Sequence, residues 1–91
     1  MADKRISYKV GGKVQGVNFR KFTVKQAKRI GITGFVRNAS DGSVIGEAQG
    51  SDKALKEFIQ HLNKGPLAAS VTSIEHSYID TKRGESGFSA R

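Results

Sequence analysis

Apolar and polar residues alternate along Ile6-Ser7-Tyr8-Lys9-Val10, the two-residue period of a strand with one buried face. The period then lengthens. Over Arg20–Ile30 a helix is predicted, with Phe19, Phe22, Thr23, Ala27 and Ile30 close to one face and Gly31 placed to stop it. Lys21, Lys25, Lys28 and Arg29 fall on the other side and read as a solvated charged stripe. Asp41-Gly42 is a turn signal, since both residues tolerate positive φ, and it joins Thr33–Ala39 to Ser43–Gln49 as a hairpin. Within it Val36 and Asn38 share one face, Phe35 and Arg37 the other. Gly46, Ala48 and Gly50 are small enough to let a helix lie close to that sheet. A second helix is capped by Ser51 or Asp52 and ended by Gly65-Pro66. Its Leu55, Phe58, Ile59 and Leu62 keep i, i+3, i+4, i+7 spacing. Residues 70–79 read as another strand, 80–87 as a loop, and Phe88–Arg91 as a short terminal segment.

The order β-α-β-β-α-β is the split βαβ arrangement of the ferredoxin-like, two-layer α+β sandwich, an antiparallel sheet with two helices on one face. Ninety-one residues make one domain, 1–91, with a single modest core. The absence of cysteine excludes a disulfide, a thiolate nucleophile and a Cys-based metal site. No apolar run is long enough for a membrane span, and Met1–Arg5 lacks the apolar core of a signal peptide. A soluble, cytoplasmic protein is expected.

The formal charge of +8 is lopsided. Residues 1–40 carry ten Lys/Arg against one acid, whereas 41–91 carry six against seven. Such a basic half can steer a small anion or bind a nucleic-acid backbone, and charge does not choose between them. The stretch from Gly11 to Arg20 adds chemistry. A Gly-containing loop between a strand and a helix N-terminus can aim several backbone N–H groups at one phosphate, where the helix dipole also favours negative charge. Arg20 brings a planar fork of donors that suits two phosphate oxygens. The four-residue gap between Gly11 and Gly16 is that of a P-loop, yet Val17-Asn18 stand where Lys and a hydroxyl residue are needed. The glycine spacing also fails the dinucleotide fingerprint. A phosphate cradle of another kind remains.

Gly12-Lys13-Val14-Gln15-Gly16-Val17-Asn18-Phe19-Arg20 resembles the acylphosphatase signature G-x-V-Q-G-V-x-F-R. Gly34-Phe35-Val36-Arg37-Asn38-Ala39-Ser40-Asp41-Gly42-Ser43-Val44 resembles the family's second motif, G-W-V-x-N-x-x-D-G-S-V. The two motifs stand in the family's order, and the resemblance covers nearly the whole chain. It implies a small ferredoxin-like enzyme that hydrolyses acyl phosphates to a carboxylate and phosphate, without a metal. A monomer that needs no cofactor is expected. By the same resemblance Arg20 matches the phosphate-binding arginine and Asn38 the asparagine that orients the attacking water. Gln15, Gly16, Val17, Asn18, Phe19 and Arg20 match the loop whose N–H groups hold the phosphoryl oxygens. Phe35 stands where the family often has Trp, Ala39 where Thr is frequent, and Arg91 where members commonly end in an aromatic residue.

The chemistry agrees. An acyl phosphate expels a carboxylate whose conjugate acid has a pKa of about 4, so it needs little general-acid help. What remains is to neutralise phosphoryl charge, a task for Arg20 and the loop N–H groups, and to place a water in line, a task for the Asn38 amide. His61 and His76 read as surface or rim residues, Lys13 as a solvated or anion-attracting residue at the loop edge, and Arg37 as structural or exposed. The alternative is a noncatalytic nucleic-acid- or phosphate-binding module of the same fold. Against RNA binding, only Tyr8 and Phe35 offer stacking surfaces on the central strands, and the aromatic-rich stretch that mode requires is missing. A small-molecule acyl phosphate is therefore the expected partner, with neither nucleic acid nor membrane.

Overall fold

Alternation in the first strand sends Ile6, Tyr8 and Val10 into a buried layer and leaves Lys9 exposed, and it is this layer that the two helices cover. The structure, a computed structural model, describes residues 3–91; Met1 and Ala2, at the start of the polar N-terminal stretch, lie outside them. The elements are β1 (Lys4–Lys13), α1 (Phe19–Ile30), β2 (Thr33–Asn38), β3 (Val44–Gly50), α2 (Asp52–Lys64), β4 (Ser70–Ile79) and β5 (Phe88–Ala90). They form one five-stranded sheet in the order β4-β1-β3-β2-β5.

The first four strands pair antiparallel, as expected. The terminal segment adds a fifth strand, with Phe88, Ser89 and Ala90 parallel to Gly34, Phe35 and Val36, so the complete sheet is mixed. β1 is also longer than the alternation indicates. Gly11–Lys13, expected as loop, continue the pairing with β4 through an irregularity between Gly11 and Gly12. Gly12 sits at φ 120°, and a Cβ there would run into the Ser70 carbonyl, so glycine is what lets the strand continue.

Helix α2 matches its pattern. Ser51, rather than Asp52, is the cap, its hydroxyl accepting from the Ala54 N–H at 3.1 Å. Leu55, Phe58 and Leu62 are buried and Ile59 half-buried, and each fully buried side chain contributes about 1.5–3 kcal/mol. Phe58 holds the centre, 5.4 Å from the Tyr8 ring and 5.8 Å from Phe88. In α1 the buried positions are Phe19, Thr23, Gln26 and Ala27, while Phe22 and Ile30 are half-buried. Thr23 tolerates burial because its hydroxyl donates to the Phe19 carbonyl at 2.8 Å.

The small residues of β3 serve two purposes. Gly50 faces Ala54 of α2, as a close helix approach requires. The space above Gly46 is instead taken by Tyr8, whose hydroxyl donates to the Phe35 carbonyl at 2.8 Å. On the opposite face of the sheet lies a residue that patterning gave no reason to bury. Arg5 is 1% exposed; its Nε donates to Glu47 at 2.8 Å and its Nη1 to Glu85 at 2.8 Å. Gln49 accepts from the Lys82 N–H at 2.8 Å. These bonds strap residues 80–87 across that face and deliver the chain to β5, beside β2.

Candidate active site

Between β1 and α1 only residues 14–18 remain irregular. Gly16 (φ 72°) and Asn18 (φ 68°) are both left-handed, and Asn18 is the one non-glycine residue with positive φ among those described. Asparagine tolerates this conformation better than most residues do. Asn18 ends the loop as the N-cap of α1, and its carbonyl accepts from the Phe22 N–H at 3.0 Å. The N–H groups from Gly16 to Lys21 find no acceptor among the described residues. They form a concave set of donors at the positive end of a helix, the arrangement that favours an anion.

Arg20 lies in the first turn of α1, with Nη1 donating to the Arg91 carbonyl at 3.1 Å. Arg91 is itself held by its N–H to the Val36 carbonyl at 2.8 Å. The residue that follows the fifth strand, a strand the sequence pattern did not reveal, thus supplies the acceptor that orients the arginine. Asn38 ends β2, half-buried and opposite Val44. Arg20 and Asn38 border a single open groove of about 1070 Å³, together with Gly16, Asn18 and Phe19. Phe19 is 1% exposed, so it can offer the groove little besides its backbone.

Gln15 and Val17 do not border the groove. Val17 packs against the core. Gln15 turns its amide to the hairpin, where Nε2 donates to the carbonyls of Ala39 at 2.8 Å and Ser43 at 3.0 Å. The turn it grips is firm. Ala39 N–H donates to Ser43 O at 2.8 Å, and Ser43 N–H donates to the Asp41 carboxylate at 2.9 Å. Only Gly42 of the Asp41-Gly42 pair takes positive φ; Asp41 acts through its side chain instead. Bonds from Lys9, 2.9 Å away, and from Ser43 hold the Asp41 carboxyl well below the usual carboxylate range. One glutamine therefore fixes the loop that leads into Arg20 relative to the hairpin that carries Asn38.

The remaining candidates lie elsewhere. His61 is on α2, 3.8 Å from Glu57, and His76 is exposed on β4. Lys13 and Arg37 are exposed and outside the groove. Among the described residues no group of three His, Cys, Asp or Glu is placed to hold a metal ion, and no helix is long and apolar enough to cross a membrane. Of the two aromatics that could have stacked a base, Tyr8 is 3% exposed on the helix-covered face and Phe35 lies beneath the Arg91 guanidinium.

The sequence profile of the acylphosphatase family matches residues 6–90. The chain belongs to the acylphosphatase family. An acylphosphatase of Salinibacter ruber is 43% identical over 89 residues, covering 98% of this chain and 94% of the relative. An acylphosphatase structure from Coxiella burnetii superposes with a TM-score of 0.92 at 34% identity, covering 98% of this chain and 93% of that one. The Bacillus subtilis acylphosphatase structure gives 0.92 at 32% identity, covering 97% and 98%. The acylphosphatase fold thus extends over essentially the whole chain.

Proposed function

We propose that this chain, as a single domain over residues 1–91, hydrolyses the carboxyl-phosphate bond of acyl phosphates. In this reading the loop N–H groups of residues 15–20 and the Arg20 guanidinium hold the phosphoryl oxygens and neutralise the charge that develops on them. Asn38 accepts a hydrogen bond from a water and donates another to the phosphate, setting that water in line with the acyl oxygen. The water oxygen bonds to phosphorus as the P–O bond to the acyl group breaks, and that electron pair leaves with the carboxylate. One water proton stays on the new phosphate hydroxyl and the other passes to a phosphoryl oxygen. Because the leaving group is a stable anion at neutral pH, no side chain is needed as general acid.

The observation that carries the reading is the convergence of Arg20 and Asn38, from two different elements, on the groove above the unpaired N–H groups. The family membership gives it its reaction class. Monomeric action in the cytoplasm on a small molecule, without nucleic acid or membrane, completes the proposal. The test is release of phosphate from acetyl phosphate in EDTA. Rapid turnover is expected, and a folded protein that leaves acetyl phosphate intact would overturn it.

A further inference from the structure

Of residues 80–91, only Glu85 and Phe88 are not exposed. The segment contributes just the three residues of β5 to the sheet, at its edge and in parallel pairing, the slightly weaker ladder per residue. Ordering the segment costs conformational entropy at every residue, and few buried groups are there to offset it. Phe88 is one anchor, packed against Phe58 in the core. Glu85 is the other.

Arg5 meets Glu85 as a fork, Nη1 donating to Oε1 at 2.8 Å and Nη2 to Oε2 at 3.2 Å. Its Nε holds Glu47, and Nη1 also donates to Gln49 at 3.2 Å. Two parallel bonds fix direction as well as distance. Desolvation offsets much of the attraction within such a pair, so an apolar contact would stabilise the sheet as well. What the fork supplies beyond stability is placement. Arg5 lies opposite Gln49 and Gln49 opposite Thr33, whereas Asn38 stands five residues further along β2. At about 3.4 Å per residue, the row of the fork is roughly 17 Å from the row of Asn38, too far to touch a substrate there.

An unbroken series of bonds nevertheless joins the two places. Two residues past Glu85, the Gly87 carbonyl accepts from the Gly34 N–H at 3.1 Å. Phe88, Ser89 and Ala90 then pair with Gly34, Phe35 and Val36. Arg91 donates its N–H to the Val36 carbonyl, and its own carbonyl receives Arg20. We propose that Arg5 and Glu85 are positioning residues for Arg20, setting the terminal segment so that the Arg91 carbonyl stands where the guanidinium needs an acceptor. The proposal rests on the acylphosphatase reading and deepens it. Gln49 is a second hold on the same segment, accepting from the Lys82 N–H at 2.8 Å and donating to the Lys82 carbonyl at 3.0 Å. Without the fork, β5 opens locally more often while the rest of the sheet stays paired. In the open state Arg20 keeps its charge and loses its direction.

The test is a double-mutant cycle between Glu85→Gln and deletion of Arg91. It is read as kcat on acetyl phosphate well below the melting temperature, with circular dichroism to confirm the fold. Glu85→Gln should lower kcat about three- to tenfold in the full chain. In the chain lacking Arg91 it should lower kcat by less than about twofold, because the carbonyl it positions is already gone. Amide exchange gives a readout independent of activity. The Arg91 N–H should exchange about three- to tenfold faster in Glu85→Gln, with the amides of β1 and β3 at wild-type rates. Gln49→Ala, a milder release of the same segment, should move both readouts in the same direction. No loss of kcat in the full chain, equal losses in both chains, or unaltered exchange at Arg91 overturns the positioning role and leaves the acylphosphatase reading intact. A folded wild type that does not hydrolyse acetyl phosphate overturns that reading, and the positioning role with it.

Discussion

The guanidinium of Arg91 lies 4.0 Å from the centre of the Phe35 ring, stacked over its face. This cation–π contact pins the residue whose carbonyl orients Arg20. Arg91→Ala should cost about 0.5–1 kcal/mol in urea denaturation, and Phe35→Trp should add stability only while Arg91 is present. Deleting Arg91 also removes the carbonyl that receives Arg20. Activity should then fall about tenfold or more while the protein stays folded by circular dichroism.

Arg20→Gln keeps a polar side chain but loses the positive fork. By analogy with arginines that stabilise phosphoryl transfer, turnover should drop about 10³–10⁵-fold, with weaker inhibition by inorganic phosphate. Asn38→Ala should lower kcat while sparing most of the phosphate affinity. Wild-type turnover in Asn38→Ala would remove it from the mechanism.

Gln15→Ala leaves the Ala39 and Ser43 carbonyls without their shared donor and frees the cradle from the hairpin. The expected result is a loss of about 1–3 kcal/mol in stability and a fall in kcat of about ten- to a hundredfold. Inhibition by phosphate should change little, because the loop N–H groups remain. Gln15→Glu should be worse than alanine, since it sets a carboxylate against two carbonyl oxygens.

Glu85 accepts from Arg5 in the strap, and those bonds hold its carboxyl below the ordinary range. The folded protein therefore binds this proton less readily than the unfolded chain. The stability involved is present above the unfolded pKa, about 4.3, and disappears as pH falls through the lower folded value. Glu85→Gln should be less stable than the wild type at pH 7 and lose less on acidification. Urea midpoints measured from neutral pH down to about pH 3 would show the two curves converging.

A methyl group at Gly46 would meet both the Tyr8 hydroxyl and the Phe35 carbonyl, which already bond to each other. Gly46→Ala should cost about 1–3 kcal/mol and, by shifting β2, lower activity as well. Unchanged thermal unfolding of this variant would contradict the packing.

Where local pattern and global fold agree, the sequence was readable. The alternation of β1, the Leu55-Phe58-Ile59-Leu62 stripe and the Asp41-Gly42 turn each contain their own structural instruction within a few residues. Two linked motifs single out Arg20 and Asn38, and both border one groove in the structure. What escaped is what depends on distant partners. Nothing local marks Arg5 for burial, since its acids arrive from Glu47 and Glu85. Phe88–Ala90 is too short to announce a strand and becomes one because β2 offers a free edge. The Gln15 bridge needs carbonyls 24 and 28 residues away. The left-handed turn at Asn18 was the one missed feature with a local signal, the residue type itself.

The arginine at position 20 takes its orienting acceptor from a residue 71 positions later. During synthesis at about 5–20 residues per second, the cradle therefore leaves the ribosome seconds before the strand that completes it. A nascent chain ending short of β5 already carries the loop and its charge but cannot yet aim its arginine. On the proposed mechanism, appearance of activity would accordingly wait on the docking of β5 beside β2.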